Sequence, residues 1–174
     1  MNTELKVIIG GSAELPGWKS LNIDPSLKPD YLTDITNLDC FADNSVSVFY
    51  MSHVFEHIKQ TDINNTLQSL YKKLITGGTM YISVPDISVL AVLINSEHLN
   101  IDQKVHVMRM IYGGQTNNFD FHYFGYTFQI MEALLKINNF KNIVKVDNFE
   151  LFQDTSNFKP YFNIPISLNV VCNR

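Results

Sequence analysis

Short strand-like runs alternate with helix-like segments along most of this chain, and that alternation constrains the fold more than any other feature. Residues 5–9 (LKVII) form an apolar run stopped by Gly10 and Gly11, read as a buried strand entering a tight turn. Residues 20–24 (SLNID) alternate and end on an acid before Pro25, and 31–33 form a weak strand ending at Asp34. Residues 46–51 (VSVFYM) and 79–84 (TMYISV) are strands, the second stopped by Pro85. Between them Ile63, Leu67, Leu70, Tyr71 and Leu74 share one helical face, with Thr61 or Asp62 as its cap and Gly77-Gly78 as its stop. Further helices are predicted over 86–95, 101–112 and 127–138. The 101–112 helix has Ile101, Val105, Met108 and Tyr112 on one side. Residues 143–149 and 166–172 close the chain as two strands without a helix between them.

Alternation of this kind places parallel strands in one sheet with helices on its faces. The expected architecture is an α/β three-layer sandwich with a Rossmann-like, mostly parallel, seven-stranded sheet and an antiparallel last strand. A chain of 174 residues suits one domain, taken as 1–174, with a core large enough to need no staples. The first crossover, residues 10–19, is interrupted by Pro16 and Gly17 and is too short for a full helix.

The composition narrows the functional classes. An apolar share of 45% with 12 Phe and 8 Tyr excludes global disorder. The net charge is −4 and the only arginines are Arg109 and Arg174, so no basic stripe marks a nucleic-acid partner. Cys40 and Cys172 match no ligand spacing and are read as free thiols, which suits a reducing cytoplasm. The N-terminal stretch is too short and polar for a signal peptide, and no apolar run approaches the length of a membrane span. A cytoplasmic protein is the expectation. A partner chain, as in a homodimer, would cover any apolar face left bare by the missing first helix.

In open parallel sheets ligands sit beyond the carboxyl ends of the strands, where the strand order reverses. Gly10 and Gly11, then Asp24, Asp34, and Ser52 with His53 follow four successive strands. Glycines let an anion approach backbone N–H groups, a carboxylate accepts ribose hydroxyls, and a further polar residue reaches adenine. Together they describe a site for an adenosine-bearing cofactor.

The stretches KVIIGGSAELPGWKSLNIDPS, DITNLDCFADNSVSVFYMSHVFEHI, LYKKLITGGTMYISVPD and IYGGQTNNFDFHYFGY resemble the class I S-adenosylmethionine-dependent methyltransferases. The similarity covers about residues 5–150 and is greatest to a small, type 11-like branch whose first motif ends in Pro-Gly-Trp. The resemblance implies S-adenosylmethionine as cofactor and methyl transfer to a small molecule or sugar-containing metabolite. It implies that Gly10 and Gly11 border the methionine part and that Asp24 holds the ribose. Asp34 and the Ile35 backbone would then contact adenine, with Met51, Ser52 and His53 beside the reactive methyl. The chain departs from the family pattern at Ser12, where a third glycine is usual, and at Ile8, where a polar residue is common.

Transfer from a sulfonium chiefly requires alignment, and an oxygen or amine acceptor also benefits from a base near neutrality. His53, His57 and His122 are candidates. His122 is favoured, with Asp120 beside it, because loops over strand ends carry substrate contacts. The aromatic residues around it (Phe119, Phe121, Tyr123, Phe124, Tyr126) read as core or as a substrate lid. Two other readings remain open. One is a non-catalytic module that binds the cofactor. The other is a zinc hydrolase, since His53, Glu56 and His57 match H-x-x-E-H and Glu132 could supply a third ligand. His98 and His106 are given no chemistry, and Trp18 is read as a packing anchor.

Overall fold

The computed structural model describes residues 4–11 and 16–174. Among these residues seven strands form one sheet: β1 Leu5–Ile9, β2 Trp18–Asn22, β3 Tyr31–Leu32, β4 Val46–Ser52, β5 Leu74–Pro85, β6 Lys141–Val146 and β7 Ser167–Asn173. Their spatial order is β3-β2-β1-β4-β5-β7-β6. The first five strands run parallel, and β7 is antiparallel to both β5 and β6. The mostly parallel seven-stranded sheet with an antiparallel last strand is therefore the one observed. Among the described residues four α-helices accompany it: α1 Ile63–Lys73, α2 Ile87–Asn95, α3 Ile101–Tyr112 and α4 Phe128–Ile137.

Successive side chains of a strand point to opposite faces, so the sheet has two separate interiors. One face presents Val7, Ile9, Phe49, Met51, Met80, Ile82 and Val170 to Leu67 and Leu70 of α1 and Met131 and Leu135 of α4. The other presents Ile8, Tyr50, Tyr81 and Val171 to Trp18, Phe149 and Phe152. Among the described residues no helix lies in this second cluster. The third layer is instead the irregular segment 147–158, which supplies Phe149 and Phe152. Trp18 packs edge-on against Phe152 at 5.2 Å and against Tyr50 at 6.4 Å, which makes it the expected anchor. The Tyr50 hydroxyl donates to Asp154 Oδ2 at 2.7 Å and ties the segment to the sheet. The described part of the first crossover, residues 10–11 and 16–17, forms bends and turns, as its length requires.

Several boundaries differ from the sequence reading. β2 starts and ends two residues earlier than 20–24, because Trp18 and Lys19 pair with Lys6 and Val7 of β1. The Gly77-Gly78 pair does not stop α1, which ends at Lys73. Both glycines lie inside β5, beside a register irregularity in its pairing with β4. β6 ends at Val146, and Phe149 turns away to pack on the second face. The apolar stripe of α3 is exposed: Ile101, Val105, Met108 and Tyr112 all face solvent, and Val107 is its buried residue. Helical periodicity marks a stripe without saying what covers it. Here Val107 joins Leu90, Leu93, Leu99 and Ile166 in a small core separate from the main one.

The two cysteines are unpaired, with Cys172 buried in the main core and its thiol pushed up to about 12 by that burial. No helix among the described residues is long and apolar enough to cross a membrane.

Truncating the anchor of the helix-free face is expected to weaken the whole molecule. Trp18→Ala should lower unfolding stability by about 2 kcal/mol or more in denaturant titration, given the usual cost of aromatic truncation and the half-buried ring. Val92→Ala, at an exposed position, should stay within about 0.5 kcal/mol of wild type.

Candidate active site

The strand order reverses between β1 and β4, since the chain winds outward from β1 to β3 and then returns to β4 on the other side. At the carboxyl ends of these strands lies a cavity of about 460 Å³. That volume lies within the usual range for a small-molecule or cofactor site. Ile9 and Gly10 come from the end of β1, Asn22 and Ile23 from β2, residues 33–36 from the turn after β3, and His53 and Val54 from β4. His57, Ile58, Lys59 and Asp62 line the far side, and Asn118, Phe119 and Tyr123 reach in from the loop before α4.

The turn after β4 shapes this cavity. His53 adopts a left-handed backbone (φ 54), and its N–H donates to Ser83 O at 2.9 Å. A non-glycine residue held there stores on the order of 1–3 kcal/mol of strain. The sharp reversal drops Val54 onto Gly10 and starts the 3-10 turn Phe55–His57. A Cβ on Gly10 would meet Val54 Cγ2 at 2.2 Å, and Gly10 itself has φ +84. Gly10 thus lets the ends of β1 and β4 touch. The Tyr123 N–H donates to Glu56 O at 2.9 Å, so the same turn also fastens the 113–126 loop over the cavity.

Behind the cavity wall lies a buried carboxylate among histidines. Glu56 is 1% exposed, and neither side-chain oxygen has a hydrogen-bond partner among the described residues. His53 Nδ1 lies 3.3 Å and His122 Nε2 3.9 Å from Glu56 Oε1. Burial pushes the Glu56 carboxyl up, but His53, with His57 and His122, outweighs it and holds the group below its ordinary value. Burial of His122 pushes its imidazole down, and the attraction of Glu56 only partly offsets this. Three imidazole N–H groups are already committed. The His57 Nδ1–H donates to Phe121 O at 3.0 Å, and the His122 Nδ1–H donates to Met110 O at 3.0 Å. Ser167 gives its proton to Thr155 O, so its oxygen accepts from the His53 Nε2–H at 2.8 Å.

Of the residues expected at the site, Gly10, Asp34, Ile35 and His53 line the cavity. Gly11 stands beside it, its carbonyl 3.5 Å from Asn22 Nδ2, and Ser12 lies outside the described residues. Asp24 does not line the cavity: β2 ends at Asn22, and the Asp24 carboxylate accepts from the Ser26 N–H to cap the next turn. The strand-end position belongs to Asn22, which sequence reading missed because it sought an acid. Its Nδ2 donates to Gly10 O at 2.8 Å and its Oδ1 accepts from the Asp24 N–H at 2.9 Å. Met51 is fully buried in the helix-side core, and Ser52 points to the other face, where it bonds Thr155 at 3.1 Å. Neither lines the cavity: the alternation of the strand sends Met51 into one sheet interior and Ser52 toward the other. Ile8 likewise faces the second sheet interior.

Among the expected catalytic residues, His53 lines the cavity. Asp120 does not; its carboxylate accepts from Gly114 N, Thr116 N and Thr116 Oγ1, and these bonds outweigh its burial to hold it below the ordinary carboxylate range. His122 stands behind His57, with the rings edge-on at 4.7 Å, and is not part of the lining. Of the H-x-x-E-H stretch only Phe55–His57 are helical, as one 3-10 turn, and His53 lies before it in the left-handed region, so the two histidines do not share an α-helical face. Glu132 pairs with Lys136 at 2.8 Å on α4 and supplies nothing to the histidines.

Gly10→Ala is expected to cost at least about 1–2 kcal/mol of stability, the usual penalty of a left-handed Cβ, with the Val54 clash in addition. In a double-mutant cycle, Val54→Ala should recover part of the Gly10→Ala loss. Simple additivity of the two losses would show that the contact does not couple them.

A family model described as a methyltransferase domain matches residues 18–82. No curated protein sequence matches the chain. Among solved structures, a SAM-dependent methyltransferase from Archaeoglobus fulgidus is 11% identical with a TM-score of 0.64, over 98% of this chain and 86% of that one. An S-adenosylmethionine-dependent methyltransferase from Mesorhizobium loti is 12% identical with a TM-score of 0.61, over 98% and 90% of the two chains. Human N-acetylserotonin methyltransferase in complex with SAM is 11% identical with a TM-score of 0.60, over 99% of this chain and 48% of that one. The chain thus spans about half the length of the human enzyme. It shares the fold of these methyltransferases over nearly all its length and is similar to the methyltransferase-domain model over residues 18–82.

Proposed function

We propose that this chain is an S-adenosylmethionine-dependent methyltransferase acting on a small molecule or a sugar-containing metabolite. The observation that carries the reading is the position of the cavity: it opens at the strand-order reversal, over the carboxyl ends of β1, β2, β3 and β4. S-adenosylmethionine is the cofactor. The turn after β3 would take the adenine, with Asp34 facing its amine and the Ile35 backbone along its edge. Asn22 and Ile23 would border the ribose. Gly10 and Gly11 would run beside the methionine part, and His53 beside the reactive methyl.

The acceptor would approach from the side of His57, Phe119 and Tyr123, under the 113–126 loop. Phe119 and Tyr123 remain largely exposed while Tyr126 is fully buried. That division suits a segment anchored in the core at one end and covering substrate at the other. The methyl carbon moves from sulfur to the acceptor while the sulfur keeps the electron pair of the broken bond. Because the sulfonium is a strong electrophile, the chain's main contribution is alignment and exclusion of water.

Calorimetry with S-adenosylmethionine and S-adenosylhomocysteine tests the first half of this reading. One molecule of each should bind per chain, and Asp34→Ala should weaken both by about 10-fold, as expected for loss of a charge-assisted hydrogen bond. Absence of binding to either compound rejects the proposal. A panel of hydroxylated and amino metabolites, scored by release of S-adenosylhomocysteine, then identifies the acceptor. Tyr123→Ala should raise KM for that acceptor and leave cofactor affinity unchanged.

A further inference from the structure

We infer that Glu56, His57 and His122 form a site for one divalent transition-metal ion, such as Zn²⁺ or Mn²⁺, in the wall of the cavity. One ligand atom from each residue lies within 4.8 Å of the other two. The two histidines come from separate elements, His57 from the turn after β4 and His122 from the loop after α3. The Tyr123 N–H bond to Glu56 O brings those elements together.

The hydrogen bonds specify what the site would hold. His57 and His122 each give the Nδ1 proton to a backbone carbonyl, Phe121 O and Met110 O. In the neutral ring each therefore presents an Nε2 lone pair. Donation of the opposite ring N–H to a carbonyl is the arrangement that orients metal-ligating imidazoles. Glu56 adds a carboxylate that is 1% exposed and has no hydrogen-bond donor among the described residues. His122 Nε2 lies 3.9 Å from the buried carboxylate, His57 offers a ring nitrogen within 4.8 Å of both neighbours, and a cation among them would balance the Glu56 charge. Two imidazoles with one carboxylate suit zinc, iron, manganese or cobalt, with further coordination positions left open. His53 commits its Nε2–H to Ser167 and turns Nδ1 to Glu56 Oε1 at 3.3 Å, so in the neutral ring it gives the carboxylate no donor.

His57 lines the cavity, so an open coordination position on that side faces the acceptor. This step rests on the methyl-transfer reading. An acceptor hydroxyl bound to the ion would lose its proton to water, its oxygen would form the bond to the methyl carbon, and the sulfur would take the electrons of the broken bond.

The test uses the chelator-stripped full chain, titrated calorimetrically with Zn²⁺ and separately with Mn²⁺, and with Co²⁺ followed by visible absorption. Binding of one ion per chain is expected, with affinity at least about 10-fold weaker in Glu56→Gln and His122→Ala and unchanged in His106→Ala. Glu56→Gln keeps the side-chain shape and removes a buried charge, so it should fold. If His122→Ala does not fold, His57→Ala makes the same comparison. Failure of wild type to bind Zn²⁺ and Mn²⁺, or equal affinity in wild type and Glu56→Gln, overturns the proposal. Cofactor binding measured in chelator separates the two readings. S-adenosylmethionine bound without any ion site rejects the metal alone, and an ion site without cofactor binding rejects methyl transfer alone.

Discussion

A left-handed backbone at His53 lets the chain leave β4 and turn back under its own end. Three consequences follow from that single reversal. Val54 closes against Gly10, which locks the ends of β1 and β4 together. The 3-10 turn that follows buries Glu56 and leaves His57 at the cavity. The Glu56 carbonyl then accepts from Tyr123 N–H and holds the covering loop in place. The strain of the turn is offset by the Ser83 hydrogen bond and by Phe55, which is fully buried in the main core.

The two faces of the sheet are stabilised differently. On one face, helices α1 and α4 cover aliphatic strand residues, as in most parallel sheets. On the other, the short first crossover leaves no helix among the described residues, and aromatic edge-to-face contacts around Tyr50 substitute for it. Trp18 begins β2, so a residue that secures this face also determines where Asn22 falls at the cavity. Packing on the helix-free side and placement of the site are thus coupled through five residues of one strand.

The buried carboxylate reflects a different compromise. An unpaired charge in an apolar interior is costly, and folded chains rarely keep one without a compensating cation or hydrogen bonds. Here Glu56 is surrounded by three histidines whose available N–H groups mostly point elsewhere. Lining the cavity with His57 while burying Glu56 gives the cluster an accessible side.

Much of this molecule was legible in the sequence. Apolar runs and helical periodicity yield the alternating elements, and alternation yields the parallel sheet, because local patterning and the handedness of crossovers act over short stretches of chain. The same patterning located Gly10, Asp34, Ile35 and His53 at strand ends. Asp24, Met51, Ser52 and Asp120 lie off the cavity lining, and the 101–112 stripe faces solvent. Each of those depends on where a strand stops in its neighbour's register, or on which distant element lies alongside. Only the tertiary structure decided that Asn22 and not Asp24 ends β2, that Asp120 closes a turn, and that His122 stands behind His57 across 64 intervening positions. A hydrogen bond between Tyr123 and Glu56 makes that last encounter, and no local period encodes a contact between residues so far apart.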